Sequence, residues 1–207
     1  MLVRVNPDNI NSSDIYKIVD CLRNGGVIVY PTDTVYALGC SMMSSKGIEK
    51  LCRLKKVNSE KAKFSFIFND LSHLSEYTNP FPTATFRIIK KALPGPYTFI
   101  LEANHNVPKL LKQKRKTVGI RIPDNKICQE IIRVLGNPLL SGSLHDEEDD
   151  IVEYYSDPTN IYQQLEGIVD IVVDGGHGNI YPSTVIDFSQ DSPEVIRQGL
   201  GCLDILA

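Results

Sequence analysis

The segment Tyr30–Cys40 holds the densest group of side chains that could bind a small polar ligand. Two threonine hydroxyls, a carboxylate and a phenol lie within the seven residues Tyr30-Pro31-Thr32-Asp33-Thr34-Val35-Tyr36. The segment follows the apolar run 27–29, and its proline is incompatible with a regular central strand. Polar groups at a strand end beside a turn are typical of a ligand site. The same residues also fit a proline-initiated turn that closes local hydrogen bonds.

Arg121 is the strongest single candidate residue outside that segment. It lies in Thr117-Val118-Gly119-Ile120-Arg121-Ile122, whose apolar pattern predicts a strand closed by Pro123-Asp124. A buried arginine at the end of an apolar strand needs an anionic partner. That partner is either a ligand carboxylate, which a guanidinium can bind in bidentate fashion, or a protein carboxylate such as Asp124 or Asp187.

Length and composition indicate a globular chain. Its 207 residues predict one domain, or one with a small appendage, and 42% hydrophobic residues exclude a disordered chain. No apolar run approaches the roughly 20 residues that span a bilayer. The first eight residues lack the long apolar stretch of a signal peptide. We therefore expect a cytoplasmic protein with no membrane partner.

Cysteine, histidine and charge patterns restrict the chemistry. The five cysteines form no C-x-x-C pair, which argues against a disulfide framework or structural zinc, and Cys21, Cys52 and Cys128 are predicted to be small buried hydrophobes. The four histidines are isolated, so we predict no metal site. A net charge of −3 argues against a protein that coats nucleic acid, although lysine and arginine cluster in 50–63 and 109–116. The acidic block 146–150 is typical of an exposed loop.

Helical and strand patterns alternate along the chain, which predicts a mixed α/β sheet with helices packed on it. Helices are predicted over 12–24, 45–55, 71–77, 83–91 and 127–135. Strands are predicted over 27–30, 64–68, 97–101, 117–122, 168–174, 184–188 and 194–197, with a short apolar segment at 138–141. The P-loop, the dinucleotide-binding fingerprint and the serine nucleophile elbow are all absent from the sequence.

Six segments in chain order resemble the motifs of the YrdC/YciO family, whose best-known members are threonylcarbamoyl-AMP synthases. Tyr30–Cys40 is similar to P-T-[DE]-T-V-Y-G-L-G-C. The other five segments, each given with the family motif that it resembles, are Leu93–Thr98 (P-G-P-x-T), Val118–Pro123 (V-x-[VI]-R-x-P), Asn137–Ser143 (the start of K-P-L-x-S-T-S-A-N), Pro182–Asp187 (P-S-T-V-V-D) and Val195–Gly199 (I-x-R-x-G). Each motif is short, but their order along nearly the whole chain is specific.

The resemblance implies a single YrdC-like domain over residues 1–207, with a twisted mixed sheet and flanking helices around a deep positive cavity. It also implies a nucleotidyltransferase that condenses L-threonine, bicarbonate and ATP to threonylcarbamoyl-AMP and pyrophosphate, with Mg²⁺ accompanying the ATP. Partner proteins would then transfer the threonylcarbamoyl group to an adenosine of certain tRNAs.

The family motifs carry over residue by residue. The resemblance implies catalytic roles for Lys55 and Arg121, mainly by positioning and electrostatics and without a protein nucleophile. It assigns substrate binding to Thr32, Arg121, Ser143 and Ser183, and nucleotide binding to Lys55, Lys61, Thr117, His145 and Arg197. Without the family context, the two lysines also fit solvated helix-end charges, and the hydroxyls also fit groups that satisfy the backbone.

The chain departs from the synthase pattern and is closer to the YciO branch. The K-x-R-P of the synthases aligns with Lys55-Lys56-Val57-Asn58, and the asparagine of their S-x-N aligns with His145. Losing an arginine from a phosphate site removes a charge that an apolar contact does not replace. Arg53 is a candidate replacement.

Two other functions remain open at this stage. One is a non-catalytic YciO-type protein that binds double-stranded RNA or tRNA through the basic stretches, with an affinity that falls steeply with salt. The other is a different carbamoyl or nucleotidyl transfer.

Overall fold

The computed structural model describes residues 1–58, 64–107, 116–144, 155–190 and 192–206. In these residues ten strands form one sheet with the order β1-β8-β2-β3-β7-β4-β6-β5-β9-β10. The strands are β1 Leu2–Arg4, β2 Ile28–Tyr30, β3 Ala37–Ser41, β4 Ser65–Ile67, β5 Tyr97–Glu102, β6 Thr117–Arg121, β7 Leu139–Ser143, β8 Ile171–Asp174, β9 Thr184–Asp187 and β10 Glu194–Arg197. The sheet is mixed, because four neighbouring pairs are parallel and five are antiparallel.

The α-helices of the described part are α1 Ser12–Arg23, α2 Ser45–Leu54, α3 Thr83–Ala92, α4 Lys126–Leu135 and α5 Pro158–Leu165. Polar side chains cap four of their N-termini: Asn11, Ser44, Asn125 and Asp157 each accept a hydrogen bond from a first-turn N–H. Gly136 ends α4 with φ of +80°, a left-handed conformation that glycine adopts without a Cβ penalty.

The two faces of the sheet have separate cores. On one face, Phe66, Phe99 and Leu140 are fully buried among side chains of α2, α3 and α5. On the other face, α1 and α4 cover the half of the sheet that carries Ile28 and Leu139. Beyond α4 this second face continues over β4, β6, β5 and β9, where no described helix makes a comparable core.

The sequence prediction of a mixed α/β fold is confirmed, and most element positions agree. The helix predicted over 71–77 is wrong, since only the 3₁₀ turn Leu74–Glu76 forms there. The strand predicted to start at 168 begins at Ile171. Sequence analysis missed β1, β3 and α5. The strand β3 was hidden because its residues were assigned to the polar segment that precedes it.

Within the described residues, no helix combines the length and apolar composition needed to cross a membrane.

Cysteine burial gives a test of this fold. Cys40, Cys52 and Cys128 are buried, Cys21 is half-buried and Cys202 is exposed. Burial raises the pKa of Cys128 to about 12 and that of Cys21 to about 11. Because the thiolate is the reactive form, iodoacetamide at pH 8 should modify Cys202 in the native protein and leave Cys128 unmodified. Peptide mass spectrometry measures this, and equal labelling of both would contradict the fold.

Candidate functional site

A row of small residues crosses the face of the sheet that carries α1 and α4, and it extends into the part that no described helix covers. Residues paired in register point to the same face, and the pairs connect Gly39, Ser141, Ser65 and Gly119 across four strands. No side chain in this row is larger than serine. A Cβ built on Gly119 would lie 2.8 Å from Ser65 Oγ, so a larger residue there would displace the Ser65 hydroxyl. The row therefore leaves room above the sheet at β4 and β6.

Arg121 ends β6 on this same face, in register with Ile67 of β4. Its Nη2 donates to Asp33 Oδ1 in a short contact and to Thr34 Oγ1 at 2.7 Å, and it lies 3.4 Å from Thr32 Oγ1. The loop between β2 and β3 thus surrounds one nitrogen of the guanidinium with three acceptors. The sequence segment that was richest in polar groups and the strand-end arginine form one cluster.

The Arg121–Asp33 ion pair is almost fully buried. The exposed fraction of the side chain is 9% for Arg121 and 11% for Asp33. The protein carboxylates expected to pair with this arginine, Asp124 and Asp187, are not its partners: Asp124 is exposed, and Asp187 accepts from the backbone N–H of Ser189. The expectation of an anionic partner is met by Asp33, because the loop folds back over the sheet.

The ion pair is incompletely hydrogen-bonded. Asp33 Oδ2 and Arg121 Nε are buried and have no hydrogen-bond partner in the part of the chain that the structure describes. Buried polar groups are normally satisfied, and exceptions occur at functional sites or where a water or ion binds. The unpaired atoms therefore make this cluster the candidate ligand site.

The Thr32 hydroxyl has a structural role within the loop. It donates to the carbonyl of Val35 at 2.7 Å and accepts from the backbone N–H of Thr34 at 3.1 Å. A ligand would have to share the remaining acceptor capacity of Thr32 with Arg121. The assignment of Thr32 to substrate binding stays a prediction.

Ser183 and Arg197 form a second polar cluster on the same face. Ser183 is buried and its Oγ lies 2.9 Å from Thr98 Oγ1. Arg197, at the end of the edge strand β10, donates from Nε and Nη2 to the Ser183 carbonyl at 3.1 and 2.9 Å. Thr98 pairs with Val185 of β9 and lies in the strand beside Arg121. The two clusters therefore meet on neighbouring strands, with Thr98 of the second cluster on the strand next to Arg121.

Three other predicted site residues lie at the ends of β6, β7 and α2. Thr117 begins β6, four residues before Arg121, which places it roughly 13 Å away along the strand. Ser143 ends β7 opposite Ala37, and Lys55 caps the C-terminus of α2. All three are half-buried. Lys61 and His145 lie outside the described residues, as do the acidic block 146–150 and most of the second basic stretch.

Sequence analysis missed three side chains of the two clusters. Thr34 and Thr98 contact Arg121 and Ser183, and Asp33 pairs with Arg121. Asp33 and Thr34 were visible in the polar segment, but nothing in their spacing showed which strand they would meet. The basic stretch also contained a structural ion pair, since Lys50 bonds Asp170 at 2.6 Å.

A separate groove of about 590 Å³ lies between the Leu74–Glu76 turn and the start of α3, lined by Ser75, Phe81, Phe86 and Asn104 among others. The Asn104 amide is already used there, because it donates to the carbonyls of Ser75, Glu76 and Thr78. None of the predicted site residues lines this groove, so we place the candidate site at the Arg121 and Ser183 clusters.

A substitution at Thr34 tests whether the hydrogen bond between Arg121 and the loop after β2 stabilises the protein. Thr34→Val keeps the shape of this fully buried side chain and removes an acceptor from the guanidinium. We expect unfolding free energy to fall by about 1.5–3 kcal/mol, the contribution of a hydrogen bond to a charged group. Thr85→Val is the control, since the buried Thr85 makes no side-chain hydrogen bond in the described structure. Equal urea midpoints for the two variants would contradict this role.

The chain matches one protein family over most of its length. The family model Sua5_yciO_yrdC, described as "Telomere recombination", matches residues 20–199. YciO of Escherichia coli is 42% identical over 198 residues, which cover 95% of this chain and 94% of the relative. Its crystal structure superposes with a TM-score of 0.90 and covers 100% of this chain and 99% of the other.

More distant relatives include proteins with a stated activity. The threonylcarbamoyl-AMP synthase of Vibrio vulnificus is 28% identical over 193 residues, which cover 90% of this chain and 99% of the relative. The crystal structure of P. abyssi Sua5 complexed with L-threonine has a TM-score of 0.82 at 22% identity, and the match covers 96% of this chain and 57% of that one. At that identity it shows a shared fold. The family match spans most of the chain, and the protein belongs to the Sua5/YciO/YrdC family.

Proposed function

We propose that this protein forms threonylcarbamoyl-AMP from L-threonine, bicarbonate and ATP, with release of pyrophosphate. The observation that carries the proposal is the buried Arg121, whose guanidinium lies among Asp33, Thr32 and Thr34 on the part of the sheet face that no described helix covers. A cation kept in a buried position with unsatisfied hydrogen-bonding atoms suits a small anionic ligand. The relationship to threonylcarbamoyl-AMP synthases supports an amino-acid carboxylate as that ligand.

The amino-acid half of the site would use Arg121, Thr32, Ser143 and Ser183. The guanidinium binds the carboxylate through charge-assisted hydrogen bonds, and the hydroxyls orient the rest of the substrate. Holding the amine close to bicarbonate and the nucleotide is the main catalytic contribution, since orientation converts a bimolecular step into an effectively unimolecular one.

The nucleotide half would use Lys55, Lys61, Thr117, His145 and Arg197. Cations next to the phosphates stabilise the charge that develops as pyrophosphate leaves. Arg197 is already positioned by its bonds to the Ser183 carbonyl, which links the nucleotide half to the amino-acid half. The described residues contain no group of three acidic, histidine or cysteine side chains for a metal, so Mg²⁺ would be held by the phosphates of ATP.

The product would serve tRNA modification. Threonylcarbamoyl-AMP is a mixed anhydride, and we propose that partner proteins transfer its threonylcarbamoyl group to a tRNA adenosine in the cytoplasm.

Pyrophosphate release tests the proposal. The purified protein with ATP, Mg²⁺ and bicarbonate should release pyrophosphate only when L-threonine is added. Arg121→Ala should abolish this threonine-dependent release, because the carboxylate loses its cation. The matched control is Arg133→Ala, which removes an exposed arginine on α4 that pairs only with Glu130 in the described structure.

Two outcomes of this experiment would contradict the proposal. Unchanged release by Arg121→Ala would contradict the assigned role. ATP binding by the wild-type protein without threonine-dependent release would refute the synthase activity and favour RNA binding or another carbamoyl or nucleotidyl transfer.

Val57 gives a gain-of-function prediction. Its side chain is 38% exposed just after α2, at the position where the synthase branch carries arginine. Val57→Arg restores a phosphate-binding cation without burying it, and we expect a KM for ATP about tenfold lower, equivalent to one charge-assisted hydrogen bond. Ile168→Arg adds the same charge at another exposed apolar position before β8 and should leave KM unchanged. An equal effect of both variants would indicate net charge alone.

A further inference from the structure

We propose that Asp33 binds the α-ammonium group of the amino-acid substrate, so that the site selects zwitterionic α-amino acids over acids that lack the amine. The inference rests on the proposed function in one respect only: it assumes that an amino-acid carboxylate binds Arg121.

Arg121 has capacity left for a ligand beside Asp33. Its Nη2 is saturated, because two hydrogens are shared among Asp33, Thr34 and Thr32. Nη1 makes no hydrogen bond within the described residues, and Nε is buried and unpaired there. A ligand carboxylate would therefore bind at Nη1, next to the nitrogen that holds Asp33.

Asp33 has one oxygen in use and one available. Oδ1 accepts from Arg121, whereas Oδ2 is buried and has no donor among the described residues. A buried carboxylate oxygen without a donor carries a desolvation cost that a hydrogen bond from a cationic group offsets. An ammonium supplies three such donors.

The spacing of these groups suits an α-amino acid. The two terminal nitrogens belong to one planar guanidinium, so acceptors bound to them are neighbours. One ammonium nitrogen can thus contact both a ligand carboxylate on Nη1 and the Asp33 carboxylate. In an α-amino acid the ammonium is attached next to its own carboxylate, which places it between the two acids.

Charge balance favours the zwitterion as well. Arg121 and Asp33 together carry no net charge, and both are about nine-tenths buried. A zwitterion keeps the buried group neutral, while a simple carboxylate leaves one uncompensated negative charge out of water. Leaving a buried charge unpaired is strongly unfavourable.

The rival explanation is that Asp33 only neutralises and positions Arg121. In that case, loss of its charge would weaken every carboxylate ligand to the same extent. Direct recognition of the ammonium predicts instead that only ligands with an α-amine are affected, so a ligand pair that differs in this group separates the two.

The experiment is a binding cycle with the full chain, measured by ligand-observed NMR titration in the absence of ATP. The ligands are L-threonine and 3-hydroxybutyrate, which has hydrogen in place of the α-amine. We expect wild-type protein to bind L-threonine at least tenfold more tightly than 3-hydroxybutyrate. Asp33→Asn should weaken L-threonine binding at least tenfold, and it should not weaken 3-hydroxybutyrate, because the carboxylate of that ligand alone then neutralises Arg121. Asp124→Asn, which alters an exposed carboxylate, should change neither.

Three results would overturn the inference. They are equal affinity of the wild-type protein for both ligands, equal weakening of both by Asp33→Asn, and no effect of Asp33→Asn on L-threonine. The first uses unaltered protein, so it stands even where Asp33→Asn fails to fold. L-threonine binding that depends on Asp33, without pyrophosphate release, would refute the synthase activity and uphold this inference. Threonine-dependent pyrophosphate release that Asp33→Asn leaves unchanged would support the synthase activity and refute this inference.

Discussion

The burial of one cation organises the candidate site. Arg121 ends a strand on the inner face of the sheet, where an unpaired charge would cost several kcal/mol. The loop after β2 meets this requirement by placing Asp33 and two threonines around a single guanidinium nitrogen. The path of that loop thus satisfies an electrostatic constraint in addition to the apolar packing of Val35 and Tyr36.

The sheet supplies the space that this constraint needs. The small residues Gly39, Ser141, Ser65 and Gly119 leave space above the strands where a ligand would lie. The opposite face carries the buried phenylalanines Phe66 and Phe99. Tyr30 lies across Gly39 and donates to Ser141 Oγ at 2.6 Å, which closes one end of the row. One face of the sheet thus packs on a continuous apolar core, and the other combines a smaller core under α1 and α4 with the polar candidate site.

The chain keeps the amino-acid half of a synthase-like site more completely than the nucleotide half. Arg121 and Ser183 are present, buried and joined to neighbouring hydroxyls. Near α2, by contrast, an exposed valine replaces the arginine of the synthase branch, so one phosphate contact is lost. Under the proposed function, the predicted difference from the synthases therefore lies in the nucleotide half of the site.

The sequence by itself determined the class of fold, most of the helices and strands, and the family, because periodicity, capping residues and ordered motifs are local signals. It also predicted Arg121 and the polar segment after β2 as candidate site residues, and the structure brings them into contact. Only the tertiary structure decided that Asp33, and neither Asp124 nor Asp187, pairs with Arg121. The reason is physical: residues 88 positions apart meet through strand order and loop path, and these depend on how the whole sheet packs.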